Sequence, residues 1–243
     1  MAKPLFLNPQ IPWKRILAEF VMISVAVYLG LLADNYREFR LDKVKEGEYL
    51  DLLAKDLDSD LETLQYTRQA IEAQAQAAQL IHNAVAGEAA GVVDIEKAFS
   101  QLFLTWTYEQ QRPTYLALRN GLGLHVISNH DMRSALSHYY EVDQMRLQQD
   151  YITNYNYSQR RLREGLGRHV RFLPPDEFDS LALVPVGFHV ARLHSPMLAI
   201  GEDLVFMNDL AEFGGRGFQL VGEIDRVRTA NREVHKIISR ETP

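Results

Sequence analysis

The chain has 243 residues, 47% hydrophobic and 24% charged, and 26 Lys and Arg against 32 Asp and Glu leave it a net charge of −6. That acid surplus excludes an ordinary nucleic-acid binder, which carries a basic face, so no nucleic acid is expected among its partners. With no cysteine, disulfide staples and thiolate metal sites are excluded too, and the chain is indifferent to redox compartment.

The first predicted element is a transmembrane helix over residues 16–35, behind a short tail, residues 1–15. Residues 16 to 33, ILAEFVMISVAVYLGLLA, carry one charge, Glu19. At about 1.5 Å per residue they make a helix of about 27 Å, near the thickness of a bilayer's hydrocarbon core. The strictly uncharged part, Phe20 to Ala33, is also short enough for a buried core helix or the apolar region of a cleaved signal. Against cleavage, Leu31 is large for its place before a cut, and a tail holding Pro4, Pro9 and Pro12 is long. Trp13, Lys14 and Arg15 at one end and Tyr36 and Arg37 at the other resemble an aromatic and basic interface belt. Basic residues nearly balance, Lys3, Lys14 and Arg15 before against Arg37, Arg40, Lys43 and Lys45 after. The orientation adopted is a cytoplasmic amino terminus with the soluble part exported, in the periplasm beyond a bacterial inner membrane.

Within this helix Glu19 lies four residues after Arg15, one turn inside the interface, where a local pair or snorkelling accounts for it. An ionisable group in lipid also often faces a partner. Ala26 and Gly30, four apart, make a small patch through which another helix can approach, with Ile23 and Ala33 on the same stripe and Glu19 at its head. Glu19, Ala26 and Gly30 are therefore candidate partner-binding residues.

Residues 36–243 read as one soluble helical domain. From 36 to 86 apolar residues recur at steps of three and four, among them Leu50, Leu53, Leu57, Leu64, Ile71 and Ile81. That is one long helix or two nearly collinear ones, with Gly47 as its weak point and Gly87 to Gly91 as the closing turn. A second helix is expected from Asp94, as cap, through Phe99, Leu102, Phe103 and Trp106, broken by Arg112-Pro113. A short helix over Thr114 to Asn120 ends at Gly121 or Gly123. Val126-Ile127 is a strand-like pair.

Ser128 or Asn129 then caps a long helix from His130 to about Val170, with Leu136, Tyr140, Met145 or Leu147, Ile152 and Tyr155 inward. Residues 173–196, interrupted by five prolines and glycines from Pro174 to Pro196, read as an irregular loop in which 183–190 could be extended. A short helix over 195–212, a turn at Gly214-Gly215-Arg216-Gly217 and a final helix from Phe218 to about Ser239 complete the chain. The fold class is mainly α: a single amino-terminal transmembrane helix continuing into an elongated antiparallel helical bundle.

Two stretches give the chain a likeness: LGLLADNYREFR at 29–40 with EYLDLLAKDLDSDLETL at 48–64, and TYLALRNGLGLHVISNHDMRSALSHYY at 114–140. They resemble a domain-of-unknown-function family of single-pass bacterial membrane proteins, with an Asn-aromatic exit from the membrane, a leucine-acid helix and a Tyr-Tyr succession. Tyr36 stands where that family more usually has tryptophan. The resemblance implies a topology and no activity.

No phosphate-binding loop, dinucleotide fingerprint, metalloprotease histidine pair or nucleophile elbow is present. The 214–217 glycines are the nearest thing to a phosphate cradle, and a plain interhelical turn is their better account. His130 and His138, eight apart on one helix, are about 12 Å distant and cannot share a metal ion. Catalytic residues, metal ligands and cofactors are thus not expected. Charge is more suggestive: Asp42 to Glu62 is acidic, while Arg160, Arg161, Arg163, Arg168 and Arg171 crowd one helix. They either pair within the bundle or offer forks to carboxylates, lipid headgroups or an acidic partner. The reading that follows is non-enzymatic: an accessory or scaffolding subunit of a larger membrane assembly, respiratory or photosynthetic. Its partners are other integral membrane subunits or a second copy of itself, together with the lipid bilayer. A ligand-sensing domain acting through a partner and an enzyme stay open beside it.

Overall fold

In the computed structural model, which describes residues 13–104, 108–173 and 190–241, the chain is predominantly helical. It divides into two compact units, Met1–Glu48 and Tyr49–Pro243. Helix α1, Trp13–Val85, is unbroken at Gly47, because one glycine weakens a helix by about 1 kcal/mol relative to alanine without ending it.

In the first unit every side chain from Leu17 to Lys45 is exposed. Among the described residues α1 is the one helix with a window long and apolar enough to cross a membrane, and none of that window is buried. A core helix would have its apolar window covered, so the core-helix reading of this stretch fails.

In the second unit α1 buries a strict seam at alternating steps of three and four: Leu50, Leu53, Leu57, Asp60, Leu64, Thr67, Ile71, Gln74, Ala78 and Ile81. This is the spacing that keeps one face of a helix against its neighbours. Three members of the seam are polar, and two of them, Asp60 and Gln74, organise the site described below.

Helix α2 (Val92–Leu102) starts from a cap at Gly91, three residues before the cap expected at Asp94. It ends at Leu102 without help from Arg112-Pro113; Trp106 lies outside the described residues. Pro113 instead opens α3 (Pro113–Ala117) at the first helical position, where its missing N–H is no loss. The helix runs on as a wide π turn, Leu118–Leu122, and stops at Gly123, whose φ of +85° requires glycine. Among the described residues Val126-Ile127 pairs with no strand: Leu124–Val126 is a tight 3₁₀ turn.

The side chain of Asn129 accepts from the amides of Asp131 and Met132 at 2.9 and 3.1 Å, capping the long helix as expected. That helix is α4 (His130–His138), a π turn (Tyr139–Asp143), α5 (Gln144–Asp150), a second π turn (Tyr151–Tyr155) and α6 (Asn156–Leu166). Leu136, Tyr140, Leu147 and Tyr155 are buried, but Met145 and Ile152 face out. Each π turn rotates the register, so a straight 3.6-residue period misplaces them. The helix stops at Leu166, short of Val170, where strand β1 (Val170–Leu173) begins. It pairs antiparallel with β2 (Val190–Leu193) in the register Val170↔Leu193. The loop expected over 173–196 thus has a strand at each end; residues 174–189, with most of the extended piece, lie outside the described residues.

Helix α7 (Met197–Glu202) is followed at once by α8 (Leu204–Glu241), which corrects the helix expected over 195–212. Asp203 caps α8 by accepting from the Phe206 amide at 3.0 Å. The 214–217 glycines are no turn: they lie inside α8. A Cβ on Gly217 would stand 2.9 Å from the Cβ of Ala75, and one on Gly214 3.2 Å from that of Ala78. Two helices approach closely here, which glycine and alanine permit. Arg68 bonds Asp225 and Asn231 bonds the Leu57 carbonyl, so α8 runs antiparallel to this part of α1.

Candidate functional site: a buried polar seam

Asp60 is fully buried on the seam of α1. Its carboxylate accepts from the Tyr139 hydroxyl, from Gln144 Nε2 and, at 3.4 Å, from the backbone amide of Gln111. Behind these donors the chain of bonds continues. The Tyr139 hydroxyl accepts from Gln144 Nε2 at 2.7 Å and Asn231 Nδ2 at 2.9 Å, and Gln144 Oε1 accepts from the Tyr108 hydroxyl. Three parts of the chain meet at one carboxyl group, α1, the segment 108–112 and the π turn at 139–143 with α5, and α8 joins them through Asn231. Burial pushes the Asp60 pKa up to about 6; the bonds from Tyr139 and Gln111 oppose the rise, and the negative charge of Asp56 adds to it. Burial likewise raises Tyr139, Tyr108 and Tyr140, helped in each by the Asp60 charge. Tyr140 stacks on Tyr115 at 4.5 Å and meets Tyr139 edge-on at 4.9 Å.

Four turns along α1, Gln74 repeats the arrangement. Its Oε1 accepts from the Tyr155 hydroxyl at 2.5 Å, and its Nε2 donates to the carbonyls of Gln101 and Leu104 at 3.0 and 2.6 Å. Asp60 and Gln74 are 14 residues apart, whereas their partners Tyr139 and Tyr155 are 16 apart. The two π turns between those partners absorb the two extra residues, one each, and carry the tyrosines to matching levels of α1. Replacing Tyr155 by phenylalanine leaves Gln74 Oε1 without its buried donor and is expected to remove about 1–3 kcal/mol of stability in urea unfolding. The spacing of apolar residues could not reveal this seam. The signal was the interruption itself: Asp60, Thr67 and Gln74 occupy positions where the repeat calls for leucine.

The arginine cluster is spread over several internal fasteners. Arg161 pairs with Asp209 and, at 3.1 Å, with Glu212. Arg163 donates to the Phe103 carbonyl at 2.6 Å, and burial holds its pKa below the usual arginine range, against the pull of Tyr155. Arg168 pairs with Asp203 at 3.0 Å. Arg160 is exposed on α6, and Arg171 is exposed on β1. Glu19, Ala26 and Gly30 all lie on the exposed part of α1, and a Cβ on Gly30 would meet nothing within 4 Å.

Buried His169 completes a smaller cluster. Its Nε2 lies 3.1 Å from the Asp203 carboxylate, and the ring tilts against Phe206 at 4.9 Å. The Asp203 pKa is lowered, first by the Phe206 amide and then by His169 and Arg168. A groove of about 710 Å³ runs between α1 and α2, floored by Ala73, Ala77 and Ala98 and rimmed by Gln76, Asn83 and Lys97. Among the described residues no three His, Asp or Glu side chains are placed to hold a metal ion. Comparison with known protein families, with curated proteins and with solved structures finds no match.

Proposed function

We propose that the protein is a single-pass membrane protein whose helical bundle, elongated and antiparallel, serves as a non-catalytic accessory or scaffolding subunit of a larger membrane assembly. One observation carries this reading: the apolar window of α1 is long enough to span a bilayer and none of it is buried. In water such a surface is far larger than a monomer leaves uncovered, so lipid or another helix is its natural environment. The anchor sits in a bacterial inner membrane with the bundle in the periplasm, and Glu19, Ala26 and Gly30 form the face that another helix meets. Arg160 and Arg171 supply exposed charge for acidic partners or headgroups. The polar seam suits a rigid spacer, since its members tie one part of the chain to another and face no open cleft.

Purification from its native membrane in mild detergent through a carboxy-terminal tag, followed by mass spectrometry, tests the proposal. Stoichiometric recovery of other integral membrane subunits is expected. Recovery of the chain alone, or of a mature form whose amino terminus lies beyond Ala33, overturns it.

A further inference from the structure

The atoms around Asp60 are arranged with one polarity. Tyr139 OH, Gln144 Nε2 and the Gln111 amide all donate to the carboxylate. The first two have no freedom to reverse in place. The Tyr139 oxygen already accepts from Asn231 at 2.9 Å, and Gln144 is fixed in its orientation because its Oε1 accepts from Tyr108. A neutral carboxyl group brings a hydrogen of its own into a ring of donors and, without its charge, holds each of them less strongly, so the weakest contact is the first to yield. The longest contact is that of Gln111, at 3.4 Å. The alternative, a turn of the Gln144 amide, presents its NH₂ group to Tyr108 and strands that hydroxyl. Both adjustments fall on the same segment, residues 108–112, which joins α2 to α3 with no helix or strand of its own.

We propose that Asp60 is a proton-operated latch: ionised, it holds residues 108–112 against α1, and protonated, it releases them while the helices stay packed. The charged and titratable groups facing it are known. Asp56 on α1 accepts from the Thr114 amide at 2.8 Å, in α3 just beyond the segment. Tyr108 and Arg112 come from the segment itself, Tyr139 and Tyr140 from the π turn, and Tyr115 from α3 donates to Glu141 at 2.7 Å. Helix α8 presents the neutral Asn231, while its His235 pairs with Asp58 at 3.3 Å. The inference goes beyond the scaffolding proposal and does not depend on it: the latch works in any assembly, and its consequence is a segment between two helices that loosens in mild acid.

Amide hydrogen exchange on the full chain in detergent micelles, corrected for intrinsic rates, tests the latch. Because the Asp60 pKa is about 6, protection at Gln111 is expected to fall roughly tenfold between about pH 7 and about pH 5. Leu57 and Leu64 on α1 should hold theirs. Asp60→Asn, which puts an NH₂ donor in the same place, is expected to show the low value throughout. A wild-type profile at Gln111 that is flat over this range overturns the proposal whatever the variant does. So does an Asp60→Asn protein that folds and protects Gln111 as well as the wild type does at neutral pH.

Discussion

Leucine in place of Gly217 is expected to lower the stability of the Tyr49–Pro243 unit by about 3 kcal/mol or more, whereas alanine at Gly215, two residues away, should leave it unchanged or raise it. A Cβ at 217 already stands 2.9 Å from the Cβ of Ala75, with the Ala75 Cα and the Tyr155 ring each at 3.6 Å. A backbone atom, a methyl group fixed to it and a buried ring cannot swing aside. The further carbons of leucine have to part α1 from α8, and the hydrogen bond from Tyr155 to Gln74 lies beside the wedge. Since domains of this size are stable by about 5–15 kcal/mol, a loss of this order is a large part of the whole. At Gly215 nothing lies within 4 Å, so alanine gains about 0.5–1 kcal/mol from helix propensity alone. Urea unfolding followed by circular dichroism separates the two. Equal effects at both positions would show that the close approach of α8 to α1 does not limit the residue at 217.

These glycines also mark where sequence reasoning stops. A run of three glycines in four residues has two physical causes, a turn that needs left-handed backbone and a helix crossing that needs no side chain. Only the position of Ala75 and Ala78, some 140 residues away, selects the second. The leucine spacing of α1, the Asn129 cap and the Gly123 stop were legible because each is written in adjacent residues. The part of the final helix after Phe218 was legible for the same reason: Leu220, Ile224, Val227, Val234 and Ile238 keep one face and are buried. The π turns at 139–143 and 151–155 were not, since a widened turn answers to the level of Asp60 and Gln74 on another helix. Arg161 and Arg168 announced charge density, but their acids come from Asp209, Glu212 and Asp203. Strands β1 and β2 are four residues each, too short for an alternating pattern to stand out. The polar seam was hidden by the very method that found the helix, because a stripe drawn through apolar residues skips Asp60, Thr67 and Gln74.

The same buried carboxyl group is expected to make the protein more stable in mild acid than at neutral pH. The Asp60 pKa is about 6 in the folded chain against an ordinary 3.8, so between these values the folded state binds the proton that the unfolded state has lost. Its contribution is fully present below about pH 4 and disappears as pH rises through about 6, a difference of roughly 3 kcal/mol for a shift of this size. Asp225 and Asp203 act with the opposite sign. Burial works against ionised Asp225, but the bonds from Arg68 and Arg228 outweigh it and its pKa is lowered; that of Asp203 is lowered by its capped amide and by His169. The stability these two supply is lost only as pH falls below the ordinary carboxylate range, outside the Asp60 window. Subtracting the pH profile of Asp60→Asn from that of the wild type, by urea unfolding from about pH 7.5 to about pH 4.5, cancels every other group. A difference that favours the wild type increasingly as pH falls is the expected result. A difference that is flat, or that grows toward neutral pH, would mean that the donors around Asp60 outweigh its burial, and the carboxylate would then be a fixed anion of the core. Taken with hydrogen exchange, the two measurements have opposite signs: on acidification the unit as a whole gains stability while residues 108–112 lose protection, a pairing that simple acid unfolding cannot produce.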